Sequence, residues 1–134
     1  FRERYGNDLI YKDDAMRRLV QALKQGRNVG ILPDQKPGPK NSLITTFFGR
    51  QCYTTKTIAS LYLKFRPVLI PIFARRGEDD RYEIVIKDFP PLPEGLNKDE
   101  AELFITQKCN DIFEEVVRTA PQQWFWIHKR WKMD

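Results

Sequence analysis

Asp34 is the first residue whose setting suggests chemistry. It closes the run Val29-Gly30-Ile31-Leu32-Pro33-Asp34-Gln35, and Lys36, Lys40 and Arg50 follow on the same stretch. A carboxylate at such a place can orient a base, pair with a substrate-binding cation or cap a turn. The three cations can hold a phosphate, or can simply keep a loop in water. On residue types alone the turn-forming role comes first, because Asp is a common turn residue. The chain has one histidine, His128, set among Trp124, Phe125, Trp126, Lys129, Arg130, Trp131 and Lys132. A neighbouring cation opposes protonation of its ring, but nothing adjacent would orient it as a base. His128 therefore reads as structural. Arg2 and Arg4 precede the first helix; arginine suits two-pronged recognition of phosphate or carboxylate, and equally suits a solvated terminal segment.

Several chemistries are excluded by what the sequence lacks. It has no Gly-x-Ser-x-Gly elbow, no phosphate-binding glycine-rich loop and no His-Glu-x-x-His. Cys52 and Cys109 lie far apart without ligand-spaced partners. They read as free, partly buried thiols in a reducing compartment, with no metal and no cofactor implied. The closing run from Gln123 to Lys132 mixes tryptophan with lysine and arginine. That mixture suits a membrane interface, where amphipathic rings sit at headgroup depth, and also suits single-stranded nucleic acid. Its structural alternative has Trp124 and Trp126 packed under a sheet with the cations left in water.

The elements that must position these residues follow from periodicity. Met16, Leu19, Val20 and Leu23 fall on one face of a helix over Asp13–Lys24, with Gly26 as its C-terminal cap. Val29–Leu32 reads as a short buried strand, and Pro33–Arg50 as a long loop of the kind that more often carries function. A helix is expected over Thr54–Phe65, and a strand covered on both faces over Val68–Phe73. Tyr82–Lys87 follows as an antiparallel strand, and a prolyl connector then leads to the longest helix, from a capping box at Asn97 and Glu100 to about Thr119. The inner stripe of that helix is Ala101, Phe104, Ile105, Cys109, Ile112, Phe113, Val116 and Val117. Strand, crossover helix and strand imply a parallel pair. The expected class is thus α/β: a layered domain over 1–134, with a mixed, partly parallel sheet flanked by helices. Ligands in such sheets gather at the carboxyl ends of strands, which is where the Asp34 loop leaves.

The 134 residues suffice for one core; 41% are apolar and 31% charged, ordinary values for a globular chain. There is no apolar run near the ~18 residues that a membrane-crossing helix requires, and Phe1-Arg2-Glu3-Arg4 does not resemble a signal peptide. The net charge of +5 is uneven: basic around Lys36–Lys56, acidic across the long helix, basic again at Lys129–Lys132. Such polarity suits an anionic partner, whether a phosphorylated lipid, an acidic carrier protein or a nucleic acid.

Five collinear patches carry a family resemblance. Leu23-Lys24-Gln25-Gly26, the Val29–Gln35 run with Pro37-Gly38, Phe47-Phe48-Gly49, Pro67–Pro71 and Pro121–Lys132 are similar to the lauroyl and myristoyl acyltransferases of lipid A biosynthesis. Actinobacterial phosphatidylinositol mannoside acyltransferases resemble the same pattern. The resemblance implies the C-terminal part of a glycerolipid-acyltransferase-like fold, belonging to an inner-membrane enzyme whose active site faces the cytoplasm. It implies transfer of a fatty acyl group from acyl carrier protein to a hydroxyl of a phosphorylated glycolipid, at a membrane surface and without nucleic acid.

The family's dyad is a histidine followed five residues on by Asp or Glu, with the histidine as general base. His128 does not fit, since Met133 stands five residues later. The dyad and a membrane anchor are therefore expected upstream, and this chain alone is expected to be inactive. Asp34 matches the family's acidic position near the active site, in a supporting role. Arg4, Lys36, Arg130 and Lys132 are the implied substrate-binding residues, and Gln123 and His128 match the closing motif. Two other readings stay open: a basic, non-catalytic module for anionic lipid or nucleic acid, and a scaffold that binds acyl carrier protein through the basic loop.

Overall fold

A computed structural model describes residues 3–11 and 14–133. The chain divides into two compact units, Phe1–Ile31 and Leu32–Asp134.

The first unit is built on helix α1, Ala15–Lys24. Asp13, its expected first residue, lies outside the described residues, as does Arg2. Leu19 is its buried anchor. The helix ends as its glycine predicts: Gly26 sits at φ 71, its N–H reaches Leu23 O at 3.0 Å, and the N–H of Arg27 reaches Ala22 O at 3.0 Å. These two bonds form a Schellman cap, which a side chain at Gly26 would strain. Arg27 also donates to Asp8, and that hydrogen bond holds the Asp8 carboxyl below the ordinary carboxylate range.

The second unit holds two hairpins and two helices. A turn of 3-10 helix, Pro39–Asn41, leads into β1, Ser42–Phe47. β1 pairs antiparallel with β2, Arg50–Thr55, in the register Phe47↔Arg50 to Ser42↔Thr55. Two residues connect them, Phe48 at φ 50 and Gly49 at φ 69. Positive φ at both positions is the type I′ geometry that matches strand twist. Helix α2, Thr57–Phe65, follows. The second hairpin pairs β3, Ile72–Arg76, with β4, Tyr82–Ile86. Helix α3, Lys98–Thr119, opens on the expected capping box: Asn97 accepts from the N–H groups of Asp99 and Glu100, and the Glu100 side chain accepts from the Asn97 N–H. It packs against β1 and α2, and a turn at Pro121–Gln123 starts the closing segment.

The α/β class stands, but the sheet differs from expectation. Both sheets are two-stranded and antiparallel, and among the described residues there is no parallel pair. The expected strand at Val29–Leu32 joins no ladder, and residues 68–71 precede β3 outside any ladder, although Lys87 N–H donates to Pro71 O at 3.0 Å. β2, α2 and β3 do follow one another in the chain, yet β2 and β3 belong to different sheets. Each strand pairs instead with its neighbour in sequence across a short turn, which closes the smallest loop. The expected loop Pro33–Arg50 contains the whole of β1, and the expected helix from Thr54 begins only after β2 has ended.

Candidate functional site

The second unit has a core that is polar at its centre. Phe47, Cys52, Ala59, Leu61 and Ile105 are buried, and so are Thr45, Thr54, Thr106, Asn110 and Arg130. Thr45 and Thr54 arrive from the inward face of the β1–β2 hairpin. Asn110 arrives from α3, where Glu102, Thr106 and Asn110 repeat at four-residue spacing and are all buried. A buried polar group is tolerated only with partners, and these groups supply one another. Asn110 Nδ2 donates to Thr45 Oγ1 at 2.9 Å, Thr54 Oγ1 at 3.1 Å and Thr46 O at 3.1 Å. The two threonine hydroxyls lie 2.8 Å apart.

Arg130 completes this cluster from the closing segment. It is 1% exposed, the largest of the fully buried side chains. Its Nη1 donates to Tyr53 O; its Nη2 donates to Thr54 Oγ1 at 2.7 Å and to Asn110 Oδ1 at 3.1 Å. The guanidinium lies over the Phe47 ring at 5.5 Å. Burial pulls the Arg130 pKa below its ordinary value, and Cys52 and Asp34 oppose that shift electrostatically. The Asp34 carboxylate thus acts on the one buried guanidinium found among the described residues. Arg130 Nε, His128 Nδ1 and Trp124 Nε1 are buried without a protein partner.

Aromatic packing surrounds the cluster. Phe47 stacks with Trp131 at 5.9 Å and meets Trp124 edge-on at 5.3 Å, and Trp131 Nε1 donates to Phe47 O at 3.0 Å. Side-chain amides then lock the hairpins in place. Gln107 pairs with both the N–H and C=O of Thr46, at 2.8 and 3.0 Å. Gln123 does the same at Arg76, at 2.8 and 2.7 Å. Glu114 accepts from the strained Phe48 N–H at 2.6 Å.

The expected site residues fall as follows. Asp34 and Lys36 are half-buried on one extended loop. Lys40 and Arg50 are exposed, the latter 5.5 Å over the Trp131 ring. Lys132 is exposed. Arg4 is exposed in the first unit, 5.9 Å over Tyr5. His128 is half-buried, and Gln123 is the β3 clamp just described. Both cysteines are free; burial pushes the Cys109 thiol up to about 12, so it stays protonated near neutrality. Among the described residues no cluster of His, Cys, Asp or Glu could hold a metal, and no helix is long and apolar enough to cross a membrane. The residues that sequence reasoning missed are Thr45, Thr54 and Asn110. Their signal was present as the polar stripe Glu102–Thr106–Asn110, which breaks the otherwise apolar period of α3.

Comparison with known proteins places this geometry in context. The family model described as bacterial lipid A biosynthesis acyltransferase matches residues 1–133. The chain is 30% identical over 129 residues to the lipid A biosynthesis myristoyltransferase of Escherichia coli (strain K12), covering 96% of this chain and 39% of that protein. It is 30% identical over 119 residues to the lauroyltransferase of the same organism, covering 85% of this chain and 37% of the relative. It is 32% identical over 119 residues to the palmitoleoyltransferase, covering 87% and 37%. The chain thus spans under two fifths of the length of these curated relatives.

Proposed function

This chain belongs to the bacterial lipid A biosynthesis acyltransferase family, and we propose that it is the C-terminal part of an O-acyltransferase acting at the cytoplasmic face of the bacterial inner membrane. The observation that carries the proposal is the collinear match across residues 1–133, which takes in both the Asp34 loop and the closing segment. In the proposed reaction an acceptor hydroxyl of a phosphorylated lipid A precursor attacks the thioester carbonyl of an acylated carrier protein. An ester bond forms, the thioester bond breaks, and the carrier thiol leaves with the proton taken from the hydroxyl. The general base is supplied from a part of the protein outside this sequence, since His128 has no acid five residues on.

Asp34 supports that base from the loop. Asp34 acts electrostatically on the buried Arg130, which links the loop to the polar cluster. Arg4, Lys36 and Lys132 offer cations for the phosphates of the acceptor, while Arg130 contributes through the cluster it holds together. The glycerolipid-acyltransferase-like arrangement, with its partly parallel sheet and the whole of 1–134 in one domain, belongs to this proposal; residues 29–32 and 68–70 are apolar stretches outside any ladder.

The test is acyl transfer by the full-length protein from acyl carrier protein to a phosphorylated lipid A precursor, comparing wild type with Asp34→Ala. Transfer by wild type, lost by ~100-fold or more in a mutant with an unchanged melting curve, is the expected result for a residue that supports the general base. Absence of transfer to any glycolipid acceptor would reduce the likeness to one of fold.

A further inference from the structure

The closing segment alternates between inward and outward residues. Arg130 is buried, while Trp124, His128 and Trp131 are half-buried. Phe125, Ile127, Lys129 and Lys132 point outward, and Ile127 is 84% exposed, equalled by few large apolar residues of the chain. The inward set fixes the segment, through the Arg130 hydrogen bonds and the Trp131 bond to Phe47 O. Trp126 is tied as well, its Nε1 donating to Pro121 O at 2.6 Å. Phe125 and Ile127 are therefore held out by a rigid base.

The sequence that carries this tip is basic. No acidic residue occurs between Glu115 and Asp134, while Arg118, Lys129, Arg130 and Lys132 all do. Arg118 is partly neutralised by Glu114 at 2.5 Å; Lys129 and Lys132 are the exposed cations beside Ile127. The hairpin β3–β4 also exposes isoleucines, but its charges are mixed, with Arg75 paired to Glu83 and Arg76 to Asp80. The tip combines projecting apolar residues with basic neighbours in sequence, the composition that an anionic lipid surface recognises.

We propose that residues 125–132 form a wedge for an anionic phospholipid bilayer. Phe125 and Ile127 enter the acyl boundary, Trp126 sits at headgroup depth, and Lys129 and Lys132 meet lipid phosphates. Stacking on single-stranded nucleic acid would use Phe125 alone, since Trp126 is stacked with Trp131 at 6.4 Å and the aliphatic Ile127 offers nothing to stack. The wedge deepens the membrane-surface part of the reading above by naming the surface involved. It would place the Asp34–Arg130 region next to the lipid phase from which an acceptor comes.

The experiment uses this chain with vesicles of phosphatidylglycerol and phosphatidylethanolamine, against vesicles of phosphatidylcholine alone. Co-sedimentation and a blue shift of tryptophan emission are the readouts. Wild type binds the anionic vesicles preferentially, and added salt weakens binding. The Phe125→Ser/Ile127→Ser pair lowers partitioning about tenfold or more, since two large apolar side chains no longer leave water. Lys129→Glu lowers it by a similar factor, about tenfold. Ile84→Ser, which removes an exposed apolar residue elsewhere, changes it by less than about twofold. The substituted side chains are exposed, so melting curves stay within a few degrees of wild type. Failure of wild type to bind anionic vesicles, unchanged binding by the double variant, or an equal loss in Ile84→Ser would overturn the proposal. So would binding to a single-stranded oligonucleotide or to acyl carrier protein, with the same dependence on Phe125 and Ile127 and none to vesicles. Acyl transfer is read separately on the full-length protein with detergent-dispersed acceptor, so either conclusion can fail alone.

Discussion

Arg130 joins the end of the chain to its core. Its guanidinium reaches the carbonyl of Tyr53, the hydroxyl of Thr54 and the amide oxygen of Asn110, so β2, α3 and the closing segment meet at one side chain. Arg130→Met keeps much of the apolar stem but takes the guanidinium donor from the Tyr53 carbonyl and from Asn110 Oδ1, while Thr54 Oγ1 keeps its bond from Asn110 Nδ2. We expect a loss of about 1–3 kcal/mol, the usual cost of stranding buried polar groups offset by removal of a desolvated charge. Arg130→Lys should recover little, because an ammonium cannot reproduce the planar fork. Urea denaturation of the three proteins measures this directly, and a lysine variant as stable as wild type would show that charge rather than geometry matters here. The sequence made Arg130 conspicuous as a cation among aromatics, but surface and interior look alike in such a run. Only three-dimensional contact distinguishes a headgroup ligand from a guanidinium sealed inside. Asp34 drew attention because a carboxylate closing an apolar run at a proline reads as a strand-to-loop boundary, although residues 29–32 join no ladder; its electrostatic effect on Arg130, almost a hundred positions away in sequence, could not be read from the sequence.

At the scale of elements, the helices were easier to read than the strands. The capping box of α3, the glycine stop of α1 and the β4 strand follow from local chemistry that acts wherever the chain goes. The β1–β2 hairpin was hidden because its pattern is inverted: Thr45 and Thr54 face inward, while Ile44 is 51% exposed. A reading that seeks apolar alternation finds none there. The two-residue turn Phe48-Gly49 was the available cue, and it is what the hairpin depends on. Gly49 sits at φ 69 with nothing within 4 Å of where a Cβ would be, so Gly49→Ala introduces conformational strain without a clash. That substitution should cost about 1 kcal/mol, lowering the thermal midpoint by a few degrees. A variant as stable as wild type would mean that the turn relaxes to another geometry, which loss of the Phe48 N–H to Glu114 bond should reveal by faster amide exchange at Phe48. The expected parallel pair is not seen among the described residues for a related reason. Val68–Pro71 is apolar enough for a doubly covered strand, but apolarity specifies burial and not a partner.

On the scale of the whole molecule, the hairpin β3–β4 presents a face without cover. Ile72 lies opposite Ile86, and Ala74 opposite Ile84; Ile72, Ile84 and Ile86 are each about three-fifths exposed, with Tyr82 beside them at 72%. Neighbouring exposed isoleucines on one flat surface form the kind of patch that soluble monomers rarely leave open, and β strands with free edges add backbone groups ready to pair. The chain on its own should therefore self-associate through this face. Sedimentation velocity over a rising concentration series should show a growing oligomer fraction, and Ile72→Lys with Ile84→Lys should suppress it by placing like charges on both approaching surfaces. The charge at the closing segment works against association through the tip, where Lys129 and Lys132 of two copies would repel. Phe125→Ser with Ile127→Ser should accordingly leave the oligomer fraction as it is. A monomer at every concentration would mean that four exposed apolar side chains on this hairpin are too few to overcome the entropy of association. Loss of oligomer in the Phe125/Ile127 pair rather than the isoleucine pair would move the sticky surface to the tip, and the two faces would have to exchange roles.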